Sequence, residues 1–176
     1  IDISGIVTRI DLSSGTVLAQ IPVEGPAWGI DVGPGAVWVA GMNGVWRIDP
    51  QTDSVVATID VLNAVDIAVG PNLVWVTGML PGVAGQPNEH AVFSINPRTN
   101  LVVHRTLLPG ANQLDVGEDV VWVVTDVEGV LVGLDPLTGL VGQRLPIAPL
   151  LVDVLVVDGT IWVAQGGSEG DLFRVE

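Results

Sequence analysis

Short runs of alternating apolar and polar residues, separated by tight turns, follow one another along the whole chain. The clearest example, residues 37–60, contains three such runs, and Gly, Asn, Asp and Pro fill the turns between them. Gly and Asn tolerate positive φ, and Pro fixes φ near the value that a type I turn needs. The runs themselves are rich in β-branched residues and Trp, and none of them sustains a helical apolar period. The pattern therefore predicts an all-β protein of short antiparallel strands.

Two short motifs recur along the chain. Val-Trp-Val at 37–39 returns at 74–76 and 121–123, and Ile-Trp-Val follows at 161–163. Arg-Ile-Asp-Pro at 47–50 has partial copies at 9–12, 94–97, 133–136 and 174–176. A four-stranded unit recurring about every 40–45 residues is typical of a β-propeller. The recurrence favours a propeller over an all-β sandwich with accidental internal similarity.

The repeats divide the chain into units of unequal completeness. Their boundaries lie at residues 1–27, 28–64, 65–112, 113–151 and 152–176. The three central units contain four predicted strands each, the first unit two and the last unit three. We therefore predict a β-propeller of about four four-stranded blades, with incomplete first and last blades. Three arrangements fit: part of a larger propeller or assembly, closure of one chain as four blades, and a larger ring that two chains complete.

The incomplete end units are expected to need a cover. A bare terminal blade exposes an apolar face and a strand edge, and both promote association. We expect residues 1–24 to pair along an edge with residues 152–176, or both ends to dock onto another chain. The expected partner is a protein or another copy of this chain.

The motifs resemble those of a known repeat family. Val-Trp-Val-Ala at 37–40, Arg-Ile-Asp-Pro-x-Thr at 47–52 and Val-Val-Ala-Thr-Ile at 55–59 are similar to the repeats of bacterial YVTN-type β-propellers. Virginiamycin B lyase-like and NHL-repeat propellers are neighbours of that family. The resemblance covers essentially the whole chain and implies the propeller fold. It implies no single activity, because similar propellers include enzymes, binding modules and surface proteins.

Charge and composition narrow the range of partners. The chain carries a net charge of −14, with no Lys and six Arg. Binding of nucleic acid needs clustered cations, so no nucleic acid partner is expected. No apolar run approaches the length of a membrane-spanning helix, so membrane insertion is not expected either. The chain begins at Ile1 rather than Met, which indicates a processed chain or a portion of a longer one.

One loop departs from the repeat. Residues 79–90, MLPGVAGQPNEH, lengthen the connection between the second and third strands of their unit. Loops on a rigid scaffold often carry function, and Glu89 and His90 are a candidate acid and base there. A tolerated surface insertion explains the segment equally well, since adjacent residues on a loop are usually solvated.

A polar ring is predicted at the propeller axis, on the face that carries the variable loops. The innermost strands begin nine residues before each repeated Trp, and Trp28 and Asn112 each precede one of these positions. The ring is a candidate floor for a small ligand or a cation, and a solvated channel mouth is the alternative. The innermost strands begin at Gly29, Asp66, Gln113 and Asp153. The candidate ligand-binding residues are Trp28, Asp66, Asn112, Gln113, Asp153, Glu89 and His90.

The repeated Trp and Asp residues have structural explanations. Each repeated Trp lies inside an apolar strand, which predicts packing between blades rather than an exposed stacking platform. The acidic or amide residue at the start of each Asp-Pro-like turn is predicted to cap that turn. The Trp residues are Trp38, Trp75, Trp122 and Trp162, and the capping residues are Asp11, Asp49, Asn96 and Asp135.

The chain contains no recognisable catalytic motif or spacing of metal ligands, so no metal and no cofactor are predicted. We therefore predict a non-enzymatic binding or scaffold module that serves protein interaction or assembly. Its predicted location is extracellular, at the cell surface or in the periplasm. The alternative is a lyase-type enzyme resembling virginiamycin B lyase, with its site on the variable-loop face.

Overall fold

Short β-strands make up most of the protein. A computed structural model describes residues 5–33, 35–82, 85–126, 128–168 and 170–175. Residues 1–4, Glu176 and Pro34, which was predicted to lie in a turn, are therefore outside the described residues. Within the described ranges, no helix is long and apolar enough to cross a membrane. The strands are β1 (Gly5–Ile10), β2 (Val17–Val23), β3 (Ala27–Gly33), β4 (Ala36–Gly41), β5 (Gly44–Asp49), β6 (Ser54–Ile59), β7 (Leu62–Val69), β8 (Val74–Leu80), β9 (Glu89–Asn96), β10 (Leu101–Leu107), β11 (Ala111–Val116), β12 (Val121–Thr125), β13 (Val130–Leu134), β14 (Val141–Pro146), β15 (Leu151–Val157), β16 (Thr160–Gln165) and β17 (Leu172–Val175).

The strands pair in sequence order into antiparallel sheets. β3–β6, β7–β10 and β11–β14 are four-stranded sheets, β1–β2 is two-stranded and β15–β17 is three-stranded. Such pairing follows from the short turns, because antiparallel neighbours can be joined by a few residues. The sheets are the blades of a β-propeller. The predicted fold class, including the incomplete first and last blades, is confirmed.

Successive sheets pack face to face through the repeated Trp residues. Each Trp of the first three motif copies shares a hydrophobic cluster with an aliphatic residue on the innermost strand of the next sheet. These three Trp side chains are buried, so the predicted packing between blades is confirmed for them. The last copy, Trp162, is only partly buried, and no further sheet follows it among the described residues. The pairs are Trp38 with Ile67, Trp75 with Leu114, and Trp122 with Val154.

The two-stranded first sheet lies against the outer strands of the second. Ile21 and Val23 on β2 join a hydrophobic cluster with Trp46 of β5. The Arg9 guanidinium forms an ion pair with Asp53 at 3.0 Å and donates a hydrogen bond to the Pro50 carbonyl at 2.9 Å. β1 and β2 therefore occupy the third and fourth strand positions of a blade.

The terminal sheets do not pair with each other. Among the described residues, β1–β2 and β15–β17 are separate sheets with no strand ladder between them. The expected edge pairing of residues 1–24 with residues 152–176 is therefore wrong for the single chain. β17 already occupies the edge of β16 that such pairing needs, through a register that sets Trp162 opposite Arg174.

The turn-capping prediction is confirmed at all four positions. In each turn a side-chain oxygen accepts a hydrogen bond from the backbone N–H two residues later, at 2.7–3.0 Å. At Asp11, the hydroxyls and backbone N–H groups of Ser13 and Ser14 lower the carboxyl pKa to about 2. The capping residues are Asp11, Asp49, Asn96 and Asp135.

The insert is shorter than predicted because strands continue into both of its ends. Met79 pairs with His90 and Leu80 with Glu89, so these residues extend the β8–β9 hairpin. The His90 carbonyl also accepts a hydrogen bond from the backbone N–H of Leu108 at 3.0 Å. The connection between β8 and β9 therefore runs from residue 81 to residue 88, and residues 83–84 of it are outside the described residues.

Replacing residues 81–88 with Asn-Gly is expected to leave the free energy of unfolding within about 1 kcal/mol of the parent, because loop length has a weak effect on closure entropy. Asn-Gly suits a two-residue hairpin turn between Leu80 and Glu89. Urea unfolding measures the change.

As a control, a deletion that also removes Met79, Leu80, Glu89 and His90 should destabilise the protein clearly, since it removes two ladder pairs. A large loss from the shorter deletion would show that residues 81–88 pack as part of the structure.

Candidate functional site

The axial positions carry a group of carboxylates. Asp66 on β7 lies close enough to Asp115 and Asp153 for their negative charges to act on it. The structure thus brings two predicted site residues, Asp66 and Asp153, into one acidic environment. It adds Asp115, which was not among the candidate residues predicted from the sequence.

Carboxylates on the innermost strands also join neighbouring sheets. Asp31 Oδ2 accepts a hydrogen bond from the Val69 N–H at 2.7 Å, and Asp115 Oδ2 accepts one from Val156 at 2.6 Å. Asp66 Oδ2 accepts one from the Leu114 N–H at 2.9 Å. Asp31 and Asp115 both begin an Asp-Val-Gly sequence, and this repeat is the signal that identifies them. Much of the axial acidity therefore serves to connect the blades.

The charge of Asp66 is disfavoured by its surroundings. Burial raises the pKa of its carboxyl above the ordinary value, and repulsion from Asp153 and Asp115 acts in the same direction. Hydrogen bonds from the backbone N–H groups of Leu114 and Ile67 oppose this rise. The carboxyl of Asp66 therefore binds a proton more readily than an ordinary aspartate does.

Asn112 and His90 lie in one region, and the contacts there are mainly to the backbone. The buried Thr77 hydroxyl donates a hydrogen bond to the Asn112 carbonyl. His90 Nδ1 lies 3.1 Å from the carbonyl oxygen of Ala111. Glu89 is exposed on the adjoining hairpin. The geometry places His90 against the third full blade rather than in a loop.

The two remaining candidate ligand-binding residues lie on innermost strands. Gln113 is partly buried on β11, and Trp28 is half exposed on β3. Within the part of the chain that the structure describes, no group of three or more His, Asp or Glu residues could hold a metal ion.

Titration of Asp66 should appear as a pH dependence of stability. Because the folded-state pKa is raised, this group stabilises the folded protein below the ordinary Asp pKa of about 3.9. That contribution is lost as the pH rises through the folded-state pKa. The free energy of unfolding of the parent relative to Asp66→Asn is therefore expected to fall as the pH rises above about 4. Urea unfolding over a pH series measures it, and a flat or rising difference would contradict the burial argument.

The sheet faces at the two ends carry exposed apolar side chains. Ile30 on β3 is 58% exposed, whereas the residues at the same repeat position in the next three sheets are only 4% exposed. Those residues, Ile67, Leu114 and Val154, are each covered by the sheet before them. We call Trp28, Ile30 and Val32 of β3, all exposed, the N-terminal face.

The last sheet displays the complementary side. An apolar cleft of about 470 Å³ lies along β15–β17, and Ala164 is among its lining residues. We call Leu155, Val157, Trp162 and Leu172, which line this cleft, the C-terminal face. The side chains of Leu155, Val157 and Leu172 are exposed.

Comparison with known proteins gives the fold. No protein-family model and no curated protein matches the chain. The Cps50 (Swd1) beta-propeller domain of Myceliophteria thermophila is similar over 99% of this chain and 60% of its own, with 12% identity and a TM-score of 0.78. Kuenenia stuttgartiensis hydrazine synthase is similar over 97% of this chain and 59% of its own, with 16% identity and a TM-score of 0.76. The computationally designed Ika4 protein matches over 88% of this chain and 95% of its own, with 14% identity and a TM-score of 0.66.

The chain thus spans about three fifths of the two natural structures but nearly all of the designed one. Likeness at these identities carries information about the fold and not about activity. The YVTN-type assignment stays a prediction. The fold and the comparisons together show that this chain is a β-propeller protein.

Proposed function

We propose that the chain is a non-enzymatic propeller module that binds protein through its N-terminal and C-terminal faces. The observation that carries the proposal is the exposure of Ile30 at a position that is buried in every following sheet. The surface is of the kind that packs against another blade, and no blade covers it in the part of the chain that the structure describes. Contiguous apolar surface of this kind marks interaction sites in soluble proteins.

The strand edges support the same function. Among the described residues, β17 pairs only with β16, and β1 pairs only with β2. Strand β1 therefore presents backbone N–H and C=O groups along its other edge, a template for a further strand. A partner that covers an apolar face and pairs along the adjacent edge gains both hydrophobic burial and backbone hydrogen bonds.

The charge of the chain indicates the kind of partner, and the resemblance of its motifs indicates the location. A net charge of −14 disfavours nucleic acid and anionic membrane surfaces, so the proposed partner is a protein. The resemblance of the motifs to bacterial YVTN-type repeats supports a location outside the cytoplasm, at the cell surface, in the periplasm or extracellular.

A comparison of the parent with two face variants and one control variant tests the proposal. The parent protein, Ile30→Asp, Leu155→Asp and the control Leu107→Asp are immobilised and exposed to the extracytoplasmic proteins of the source. Leu107 is a matched control because it is 53% exposed on the outer strand β10, against 55% for Leu155. Mass spectrometry identifies what each surface retains.

We expect at least one protein, which can be the chain itself, to bind the parent and the Leu107 variant. The same protein should not bind one or both of the face variants. If every retained protein binds all four surfaces equally, the faces are not binding sites and the proposal fails.

A further inference from the structure

We infer that the occupant of the two faces is a second copy of this chain, bound head to tail. Strands β15 and β16 of one copy then complete the two-stranded first sheet of the other. This inference rests on the proposed function and names its partner. Each junction produces a composite blade with the order β15, β16, β1, β2, in which the first two strands come from one copy.

The junctions within the chain show how two blades fit together. In each of the three, an aliphatic residue of the innermost strand packs with the Trp of the preceding sheet. The N-terminal face offers the aliphatic half of this contact, Ile30. The C-terminal face offers the Trp half, Trp162. The two ends of one molecule thus carry the two halves of a contact that the chain forms repeatedly in its interior.

The first sheet lacks the strands that β15 and β16 supply. β1 and β2 stand in the third and fourth positions of a blade. The N-terminal face is exposed because, among the residues that the structure describes, no first and second strand of that blade lie over it. β15 and β16 are a first and a second strand. Their exposed side, with Leu155 and Trp162 opposite each other in the ladder, faces the direction of the next blade.

An arginine fixes the register of the composite blade. In the second sheet, Arg47 is paired with Trp38, and its guanidinium lies 5.6 Å from the ring centre. In the last sheet, Arg174 of β17 is paired with Trp162 at 6.0 Å. Arg9 is the residue of β1 at the same repeat position as Arg47 and Arg174.

Replacement of β17 by β1 of the other copy therefore keeps an arginine opposite Trp162. β17 has four residues and β1 has six, and β1 is also anchored by β2 and by the Arg9–Asp53 ion pair. The longer, anchored strand can displace the shorter one from the edge of β16.

The two end sheets also carry the two groups of the carboxylate bridge between blades. The last sheet has the carboxylate acceptor, and the β3–β6 sheet has the backbone N–H donor. Asp66 accepts a hydrogen bond from the N–H of Leu114 in the next sheet. Asp153 is the equivalent of Asp66 in the last sheet, and Ile30 is the equivalent of Leu114. The junction places Asp153 beside the N–H of Ile30 in the second copy.

One position departs from the internal junctions. Val157 stands where three earlier sheets have Gly33, Gly70 and Gly117. A Cβ at Gly33 would lie 2.5 Å from Val69 Cγ1, but one at Gly117 would lie 3.5 Å from Val156 Cγ1. The space between two blades at this repeat position therefore differs from one junction to another. The junction between two copies, which must hold the Val157 side chain, resembles the wider junction at Gly117.

Two copies close the ring with equivalent junctions. The closed pair contains three complete blades from each copy and two composite blades. Each copy carries a charge of −14, so mutual repulsion opposes closure and added salt should strengthen it. An attraction between oppositely charged partners would show the reverse dependence.

The native mass of the purified protein over a concentration series tests the inference. The parent is expected to be a dimer whose dissociation constant falls as salt is added. Ile30→Asp and Leu155→Asp, both at sites exposed in the single chain, should weaken the dimer at least about tenfold without changing the circular dichroism spectrum. The control Leu107→Asp should remain dimeric.

A mixture of the two face variants tests the head-to-tail geometry. Ile30→Asp keeps an intact C-terminal face, and Leu155→Asp keeps an intact N-terminal face. One intact junction therefore forms in the mixed pair and none in either variant alone. A dimer that appears only on mixing supports the inference, and no gain on mixing contradicts it. Hydrogen exchange should also show greater protection of β1 amides and less protection of β17 amides in the dimer.

A monomeric parent at every concentration would overturn the inference. If such a monomer still retains a different protein through the two faces, the proposed function stands and only the choice of partner is wrong. If it retains none, both fail.

Discussion

Trp75→Ala should lower the free energy of unfolding by about 3–5 kcal/mol, the cost of removing a large aromatic side chain from a core. Trp75 is 1% exposed and packs between the β7–β10 and β11–β14 sheets, together with Leu114 and Val121. The cavity lies between two blades, and the backbone ladders on both sides limit how far they can close it. Urea unfolding of the parent and the variant measures the loss.

The matched control is Trp162→Ala, at the same repeat position in the last sheet. Trp162 is only partly buried because no further sheet covers it within the described ranges. At protein concentrations where the chain is monomeric, its replacement should cost clearly less than that of Trp75. Equal costs would show that the burial of Trp75 between blades is not what determines its contribution.

Gly41→Ala should destabilise the protein by about 1–3 kcal/mol, the range for an overpacked core. Gly41 ends β4 at a point where the chain passes close to the start of β3. A Cβ at this position would meet the Pro26 carbonyl oxygen, would lie 2.8 Å from Cζ3 of Trp46 and would lie 3.1 Å from the Ala27 Cα. Two of these neighbours are backbone atoms, so relief requires a shift of the strand.

Gly142→Ala is the control for this substitution. The single contact of a Cβ at Gly142 within 4 Å is the Gly133 carbonyl oxygen at 3.7 Å, an ordinary van der Waals distance. This variant should change the free energy of unfolding by no more than about 0.5 kcal/mol. If both variants unfold alike in urea, the close approach at Gly41 does not determine its residue type.

The turn residues show how local physics made part of the fold predictable. Asp49 and Asp135 cap their turns through hydrogen bonds to N–H groups two residues later, a contact that depends on local geometry alone. The repeated Trp was predictable for a related reason. A Trp that returns in the same apolar strand occupies the same environment in each blade that another blade follows, as Trp38, Trp75 and Trp122 do.

The candidate site was predictable only in part. Asp66 and Asp153, which the repeat predicted at equivalent positions of their strands, do share one acidic environment, whereas their role in binding a ligand stays a prediction. The bridging roles of Asp31 and Asp115 were missed, because each depends on an N–H group of a different sheet about 40 residues away. The insert was misjudged for a similar reason. His90 belongs to a strand because the facing Met79 and the Leu108 N–H supply partners for its backbone.

The sequence by itself therefore determined the strands, their turns, their order and the incomplete units at both ends. These features arise from side-chain periodicity and from hydrogen bonds that span two or three residues. Only the tertiary structure decided whether the first and last sheets of the chain contact each other. The distance between the first and last sheets depends on how every sheet packs on its neighbours. No local sequence signal encodes the combined geometry of all these junctions. That geometry leaves Ile30 and Leu155 exposed rather than in contact with each other, and the single chain therefore presents two faces of a blade junction.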